Sequence, residues 1–193
     1  MWGMNKYKFY IVFLVIIGLG ISTFSFISSG YYPIALVDGN LIIARTFLND
    51  YIAASSYYDN LVKAGQSASS SIPVLSREDI QKSVMAGLIE NVLIKNGARK
   101  EIGGDLNRMV NEKVNEATNA PEMEKTVLAL YGLNFGDFKK EILVPQAERD
   151  VLTGSLFLKG EKIEDWLAAA KKSSNIIIFS GKFYWNGQNV ATR

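Results

Sequence analysis

Residues 35–52 read ALVDGNLIIARTFLNDYI, and this stretch decides how the folded part of the chain begins. Two short apolar runs flank Asp38-Gly39-Asn40. Asp-Gly between apolar runs is a strong β-hairpin signal, because both turn positions tolerate positive φ. Thr46 then caps a helix that we predict to continue to about Lys63. Apolar and aromatic side chains recur along it at helical spacing and predict one buried face: Phe47, Tyr51, Ala54, Tyr58, Leu61 and Val62.

A second helix is predicted after a flexible connection. Residues 65–73 (GQSASSSIP) are small, polar and end in proline, which is typical of a linker. Ser76-Arg77-Glu78-Asp79 has the form of a capping box and opens a helix predicted to extend to Asn96 and stop at Gly97. Its apolar residues cover a wide stripe, so we expect this helix to lie at the centre of the core.

The next segments predict further helices with distinct ends. A polar helix is expected from Asp105 to Ala117, and Gly132 is well placed as the left-handed cap of the helix before it. Pro145 removes a backbone donor and should kink or interrupt the following helix. Near the end of the chain, Trp166 lies at helical spacing with Ile163 and Ala170 and is expected in the core.

Two β-rich runs around Ser180-Gly181, within residues 175–186, predict a second hairpin at the end of the chain. The expected fold class is mainly α with a small antiparallel β element (α+β). In this arrangement about five or six helices lie between the terminal hairpins, and we expect the first hairpin to meet residues 175–185.

The N-terminus predicts a membrane anchor. No charged residue occurs from Phe9 to Ile27, a run that as a helix spans ~30 Å, about the thickness of a bilayer core. Lys6 and Lys8 precede the run, and the next charge is Asp38. The positive-inside rule therefore predicts a cytoplasmic N-terminus, and the chain after Ile27 is expected outside the cytoplasm. We expect a single-pass protein of the inner membrane with its domain in the periplasm.

A cleaved signal peptide is the alternative, with Ser28-Ser29-Gly30 as the best candidate cleavage site. An uncleaved anchor is favoured because the apolar run is longer than a signal core and the site is a poor A-x-A match. We divide the chain into a stub and anchor (residues 1–30) and an extracytoplasmic domain (31–193). Tyr31, Tyr32 and Pro33 then mark the interfacial end of the anchor, so the domain should lie close to the membrane.

Composition excludes several function classes. The chain has no histidine and no cysteine, which removes disulfides, thiol and imidazole catalysis, and the usual zinc and haem sites. A net charge of +2 is too mild to indicate nucleic-acid binding. Gly103-Gly104 indicates a turn, not a phosphate loop, and the carboxylate pairs fall on polar helix faces. We therefore expect no enzyme activity, cofactor or metal.

Four segments, in order, resemble the SurA-type N-terminal chaperone domain of the SurA, PrsA and PpiD foldases. Residues 35–52 are similar to its strand–turn–strand–helix opening, and residues 84–103 (VMAGLIENVLIKNGARKEIG) to its second helix. Residues 129–152 (ALYGLNFGDFKKEILVPQAERDVL) match a Gly-Leu-Ser-x-x-Asp-Phe segment at Gly132-Leu133 and Asp137-Phe138. Residues 163–179 (IEDWLAAAKKSSNIIIF) resemble its Trp-bearing closing helix and strand. Such foldases carry a parvulin isomerase domain between the last two of these segments. Here only residues 152–161 lie between them, which leaves no room for a parvulin domain.

The resemblance implies a chaperone module alone: a membrane-anchored holdase that binds unfolded or nascent polypeptide, with a translocon or envelope complex as a further partner. The alternative is a non-catalytic structural or adaptor subunit of an envelope complex. Adjacent Tyr57 and Tyr58 cannot share one helix face, and exposed aromatic residues suit an extended peptide. The candidate peptide-binding residues are Tyr51, Tyr57, Tyr58, Tyr131, Phe135 and Tyr184.

Overall fold

The computed structural model describes residues 4–67, 75–119 and 122–193. The described part is mainly helical, with two small antiparallel sheets. The predicted class, mainly α with a small antiparallel β element, is confirmed. Its elements in chain order are α1 (Met4–Ser28), β1 (Pro33–Val37), β2 (Asn40–Ile43), α2 (Ala44–Ser67), α3 (Arg77–Ile102), α4 (Leu106–Ala117), α5 (Met123–Tyr131), α6 (Phe135–Phe138), α7 (Val144–Leu158), α8 (Ile163–Ser173), β3 (Ile176–Ile178), β4 (Phe183–Trp185) and β5 (Val190–Thr192).

Helix α1 is long and apolar enough to span a membrane. Its stretch Tyr10–Ser28 has a mean hydropathy of 2.4, and none of it is buried against the rest of the chain. The chain leaves the helix after Ser28 and turns at Gly30 (φ +76°), and the Tyr31 N–H donates to the Phe26 carbonyl. The guanidinium of Arg45, at the start of α2, donates to Tyr31 Oη at 2.6 Å. The end of α1 is therefore attached directly to the first helix of the domain.

The predicted Asp38-Gly39 hairpin is confirmed. Both residues have positive φ (46° and 81°), and β1 pairs antiparallel with β2. Strand β3 pairs antiparallel with the other edge of β1, giving the order β2-β1-β3. Asp38 also receives the Asn175 N–H on its carboxylate at 2.8 Å. The first hairpin thus meets the end of the chain, as expected.

The second predicted hairpin is wrong in its pairing. β3 does not pair with β4 across Ser180-Gly181; β3 pairs with β1, and β4 pairs with β5 in a separate sheet. The Ser180 hydroxyl accepts the N–H groups of Lys182 and Phe183, which turns the chain away from β3. The tight turn lies later, at Asn186-Gly187, where the Asn186 side chain accepts two N–H groups and Gly187 has φ +97°.

Helix α3 forms the centre of the core, and its capping box is present. Ser76 Oγ accepts the Asp79 N–H at 3.1 Å, and the Asp79 carboxylate accepts the Ser76 N–H. The predicted stop at Gly97 is wrong, because the helix continues to Ile102 and ends at Gly103. Gly97 is a contact point: a Cβ there would lie 2.4 Å from Cζ2 of Trp166. Its small size is required by packing, not by termination.

The predicted interruption at Pro145 takes the form of a change in helix type, and the chain remains helical. The segment Lys139–Leu143 between α6 and α7 is a π-helix, and the Val144 N–H donates five residues back to the Lys139 carbonyl. Proline has no N–H to donate, so a wider turn before it accommodates the missing bond while the chain remains helical. Pro145 then occupies the first turn of α7, where a missing donor does no harm.

Helices α7 and α8 pack on α3, and ion pairs join them. The Glu90 carboxylate in α3 accepts from Arg149 in α7 at 3.0 Å and from Lys171 in α8 at 2.6 Å. Trp166 is half-buried and packs against the main core, as expected for its spacing. The predicted linker 65–73 begins inside α2, and its residues 68–73 lie outside the described residues.

Candidate functional site

Helix α2 carries three of the six candidate residues, Tyr51, Tyr57 and Tyr58, on two of its sides. Tyr57 points toward α5 and Tyr58 toward the start of α3, as their adjacency on a helix predicts. The two sides line different recesses, which we call the aromatic cavity and the α2–α3 groove. The structure therefore divides four of the six predicted residues between two places.

The aromatic cavity lies between α2, α3, α5 and the π-helical segment and has a volume of about 220 Å³. At its edge the rings of Tyr57 and Tyr131 stack, with centroids 5.5 Å apart and planes 6° from parallel. Tyr131 in turn makes a tilted contact with Phe138 at 5.0 Å. The Tyr57 side chain remains 41% exposed. The cavity is lined by Asp50, Ala53, Ala54, Tyr57, Val84, Gly87, Asn91, Tyr131 and Ile142.

The position of Tyr131 is set by the end of α5. Gly132 adopts the predicted left-handed cap (φ 66°, ψ 14°), and its N–H donates to the Leu128 carbonyl at 3.0 Å. The Asn60 side chain in α2 donates to the carbonyls of Ala129 and Leu130, both at 3.1 Å. Helix α2 thus satisfies the last carbonyls of α5 and holds Tyr131 against Tyr57.

Among the residues that the structure describes, Asp50 is the acidic side chain that lines the aromatic cavity. Its Oδ1 atom is buried, and it accepts no hydrogen bond from any described residue. Burial, and then repulsion from Glu141, raise the pKa of the Asp50 carboxyl from 3.8 to about 7, while Lys140 acts in the opposite direction. Asp50 lies at i of an i, i+3, i+4, i+7 series with Ala53, Ala54 and Tyr57, so all four share one face of α2. This spacing is the sequence signal that could have placed Asp50 beside the predicted Tyr57.

The α2–α3 groove holds Tyr51 and Tyr58 and has a volume of about 630 Å³. Tyr58 Oη accepts the Leu75 N–H at 2.8 Å, so this ring ties the start of α3 to α2. Tyr51 stacks on Phe47 with centroids 6.5 Å apart and packs against the main core. Both tyrosines therefore have structural contacts of their own.

The last two candidates line neither recess. Phe135 is half-buried in the small cluster beneath Tyr131, with the Lys139 ammonium 5.1 Å from its ring centroid. Tyr184 lies on β4, 40% exposed, and pairs with Ala191 in the separate sheet. Of the six predicted residues, the structure therefore brings Tyr57 and Tyr131 together at the aromatic cavity and Tyr51 and Tyr58 together in the α2–α3 groove.

The described residues of this site form no cluster of metal ligands. Within residues 4–67, 75–119 and 122–193, no group of three or more Asp or Glu side chains is placed to hold a metal ion.

No protein-family model, no curated protein and no solved structure matches this chain. The resemblance to the SurA-type domain therefore depends on its four sequence segments alone.

Proposed function

We propose that this chain is a membrane-anchored extracytoplasmic chaperone, a holdase that binds unfolded or nascent polypeptide without ATP or catalysis. The observation that carries the proposal is the aromatic cavity, an open recess with mostly apolar walls and the exposed Tyr57 ring at its edge. Tyrosine gives a large contact area at a small entropic cost, which suits an extended, unfolded segment. The order of the four SurA-like segments supports the same function.

The proposed anchor is α1. It has the length and hydropathy of a membrane span, and Lys6 and Lys8 precede its apolar run. By the positive-inside rule the N-terminus is cytoplasmic and the domain lies on the outer side. Because Gly30 and Tyr31 are hydrogen-bonded to Arg45, the domain has little slack between itself and the bilayer.

The topology is tested with a cysteine reporter. The chain has no cysteine, so Ser173→Cys, at an exposed position of α8, gives a single labelling site in the domain. In intact spheroplasts an impermeant maleimide should label the Ser173→Cys chain, and it should leave an Asn5→Cys chain unlabelled until lysis. The reverse labelling pattern contradicts the proposed orientation, and release of the domain into the medium contradicts an uncleaved anchor.

Client binding is tested with the full chain in nanodiscs. A fluorescent, permanently unfolded polypeptide should bind with a micromolar dissociation constant that nucleotide does not change. Tyr57→Ala should weaken binding about 5- to 10-fold, since an aromatic contact contributes ~1–1.5 kcal/mol. Absence of any binding by the folded full chain would refute the holdase function.

Tyr184→Ala is the matched control. It removes the same side chain at nearly the same exposure (40% against 41%) from a different surface. We expect it to change the dissociation constant by less than about twofold. Equal loss of binding in both variants would mean that the aromatic cavity is not where the polypeptide binds.

A structural or adaptor subunit is the second candidate, and the end of α7 favours it. Phe157 and Leu158 are 78% and 87% exposed, the highest values among the large apolar side chains described outside α1. A small exposed apolar patch suits a fixed protein partner better than many clients. Crosslinking in native membranes separates the two functions: many crosslinked proteins support the holdase, and one stoichiometric partner that is lost with Phe157→Ser supports the adaptor.

A further inference from the structure

We propose that the aromatic cavity is a subsite for one basic side chain, arginine or lysine, of the bound polypeptide. Asp50 supplies the carboxylate that receives the cation, and Tyr57 and Tyr131 supply aromatic surface beside it. The inference rests on the proposed function and narrows it, because it names the kind of client segment that the domain prefers.

The first step is the unsatisfied carboxylate. Asp50 Oδ1 is buried and lacks a hydrogen-bond partner among the described side chains and backbone groups. A buried acceptor without a donor is costly, and a buried carboxylate more so. A ligand that brings an N–H donor and a positive charge to this atom would remove both penalties.

The second step is the charge around the cavity, taken element by element. Helix α3 contributes the neutral Asn91 and α5 contributes Tyr131. The π-helical segment carries Lys140 and Glu141, whose side chains pair at 2.8 Å, and at Asp50 the repulsion from Glu141 exceeds the attraction to Lys140. The carboxylate of Asp50 in α2 therefore remains as a net negative charge, and such a site attracts a cation.

The third step is the shape and chemistry of the wall. Ala53, Ala54, Val84 and Ile142 are apolar, and they suit the aliphatic stem of a long basic side chain whose charged head reaches a polar group. The exposed Tyr57 ring offers a face for a cation–π contact. A volume of about 220 Å³ has room for a side chain and not for a folded element.

The test compares two unfolded fluorescent peptides that differ at one central position, arginine against its neutral near-isostere citrulline. The full chain is held in nanodiscs of phosphatidylcholine, so that the lipid itself does not select for charge. At about pH 8.5 the arginine peptide should bind about tenfold more tightly, the ratio expected for one hydrogen bond to a charged group. The preference should fall to less than about twofold at about pH 5.5, where Asp50 is protonated.

Two variants assign the preference to this carboxylate. Asp50→Asn should abolish the arginine preference at about pH 8.5, so that the arginine and citrulline peptides bind this variant within about twofold of each other. Asp59→Asn removes the same charge from the same helix outside the aromatic cavity and should keep the preference. Tyr57→Leu retains the carboxylate and should lower the preference about two- to fivefold, the contribution of an exposed cation–π contact.

The outcomes separate the two proposals. Equal binding of the two peptides, or a preference that survives Asp50→Asn, overturns the basic-side-chain subsite and leaves the holdase function standing. Binding of neither peptide by the folded chain overturns the holdase function and the subsite with it.

Discussion

Gly97, five residues before the end of α3, allows a close helix–helix contact in the core, and Gly97→Ala tests that packing. A Cβ at this position would lie 2.4 and 2.5 Å from two ring atoms of Trp166 and 3.3 Å from a methyl group of Leu152. Cβ atoms do not approach other heavy atoms that closely, so the indole has to move by several tenths of an ångström. Trp166 packs against the main core, where a rigid ring has little space to move.

Two opposing effects decide the magnitude. Alanine in a helix interior is favoured over glycine by ~1 kcal/mol. Overpacking a filled core costs ~1–3 kcal/mol, and an overlap with a rigid ring belongs at the upper end of that range. We therefore expect Gly97→Ala to lower the free energy of unfolding by about 2 kcal/mol, which corresponds to a fall in Tm of about 4–8 °C for a chain of this length.

Gly87→Ala is the matched control in the same helix. A Cβ at Gly87 would meet no described heavy atom within 4 Å, so only the propensity gain applies. We expect this variant to be more stable than the parent by about 0.5–1 kcal/mol. The two variants should change the free energy of unfolding in opposite directions. Because the substitution and the helix are the same, this difference comes from packing alone.

Urea unfolding followed by circular dichroism, with α1 held in detergent micelles, measures both variants. Adding Trp166→Leu to Gly97→Ala should recover part of the loss, because the smaller side chain removes the overlap. Equal stability of the Gly97 and Gly87 variants would refute the contact between α3 and α8 as described.

Three further predictions concern the Asp50 carboxyl, the α3 cap and the central ion pairs. Folding raises the pKa of the Asp50 carboxyl from 3.8 to about 7, so the folded state binds the proton more tightly than the unfolded state does. The bound proton therefore adds to the free energy of unfolding at low pH, and this addition is lost as the pH rises from 4 to 7. After discounting for residual solvent contact this amounts to about 2 kcal/mol, so Asp50→Asn should flatten the stability profile over that range, and an unchanged profile would contradict the shift. Ser76→Ala should lower the unfolding free energy by ~1 kcal/mol through loss of the α3 cap, measured by thermal unfolding; no change would mean that the cap does not form. Glu90→Gln should lower it by about 1–2 kcal/mol, and less in high salt, because Arg149 and Lys171 both lose their negatively charged partner; a salt-independent loss would contradict an ionic origin.

Features with a local cause could be predicted from the sequence. The Asp38-Gly39 turn, the capping box at Ser76 and the left-handed Gly132 each depend on residues within a few positions of one another. Helix geometry likewise predicts that Tyr57 and Tyr58 face different ways. These elements keep their predicted form because the tertiary structure adds to a preference that the local chain already has.

Features with a distant cause could not be predicted in the same way. Gly97 looks like a helix end in sequence and is a packing contact, because its partner Trp166 is contributed by a helix much later in the chain. The pairing of β3 with β1 leaves β4 to pair with β5, a choice that depends on which edges are available in three dimensions. Asp50 looks like an ordinary polar residue until α3, α5 and the π-helical segment surround it.

The pairing of β1 with β3 has a consequence for the time course of folding. β1 finds β2 as soon as it is made, but the partner for its other edge, beginning at Ile176, is synthesised about 140 residues later. At a synthesis rate of roughly 5–20 residues per second, that edge waits on the order of ten seconds. During this interval β1 presents unpaired backbone groups beside Leu36 and Val37, which is the condition under which strands pair with the wrong neighbour. The sheet β2-β1-β3 is therefore complete only after Ile176–Ile178 has been made, and until then β1 has one open edge.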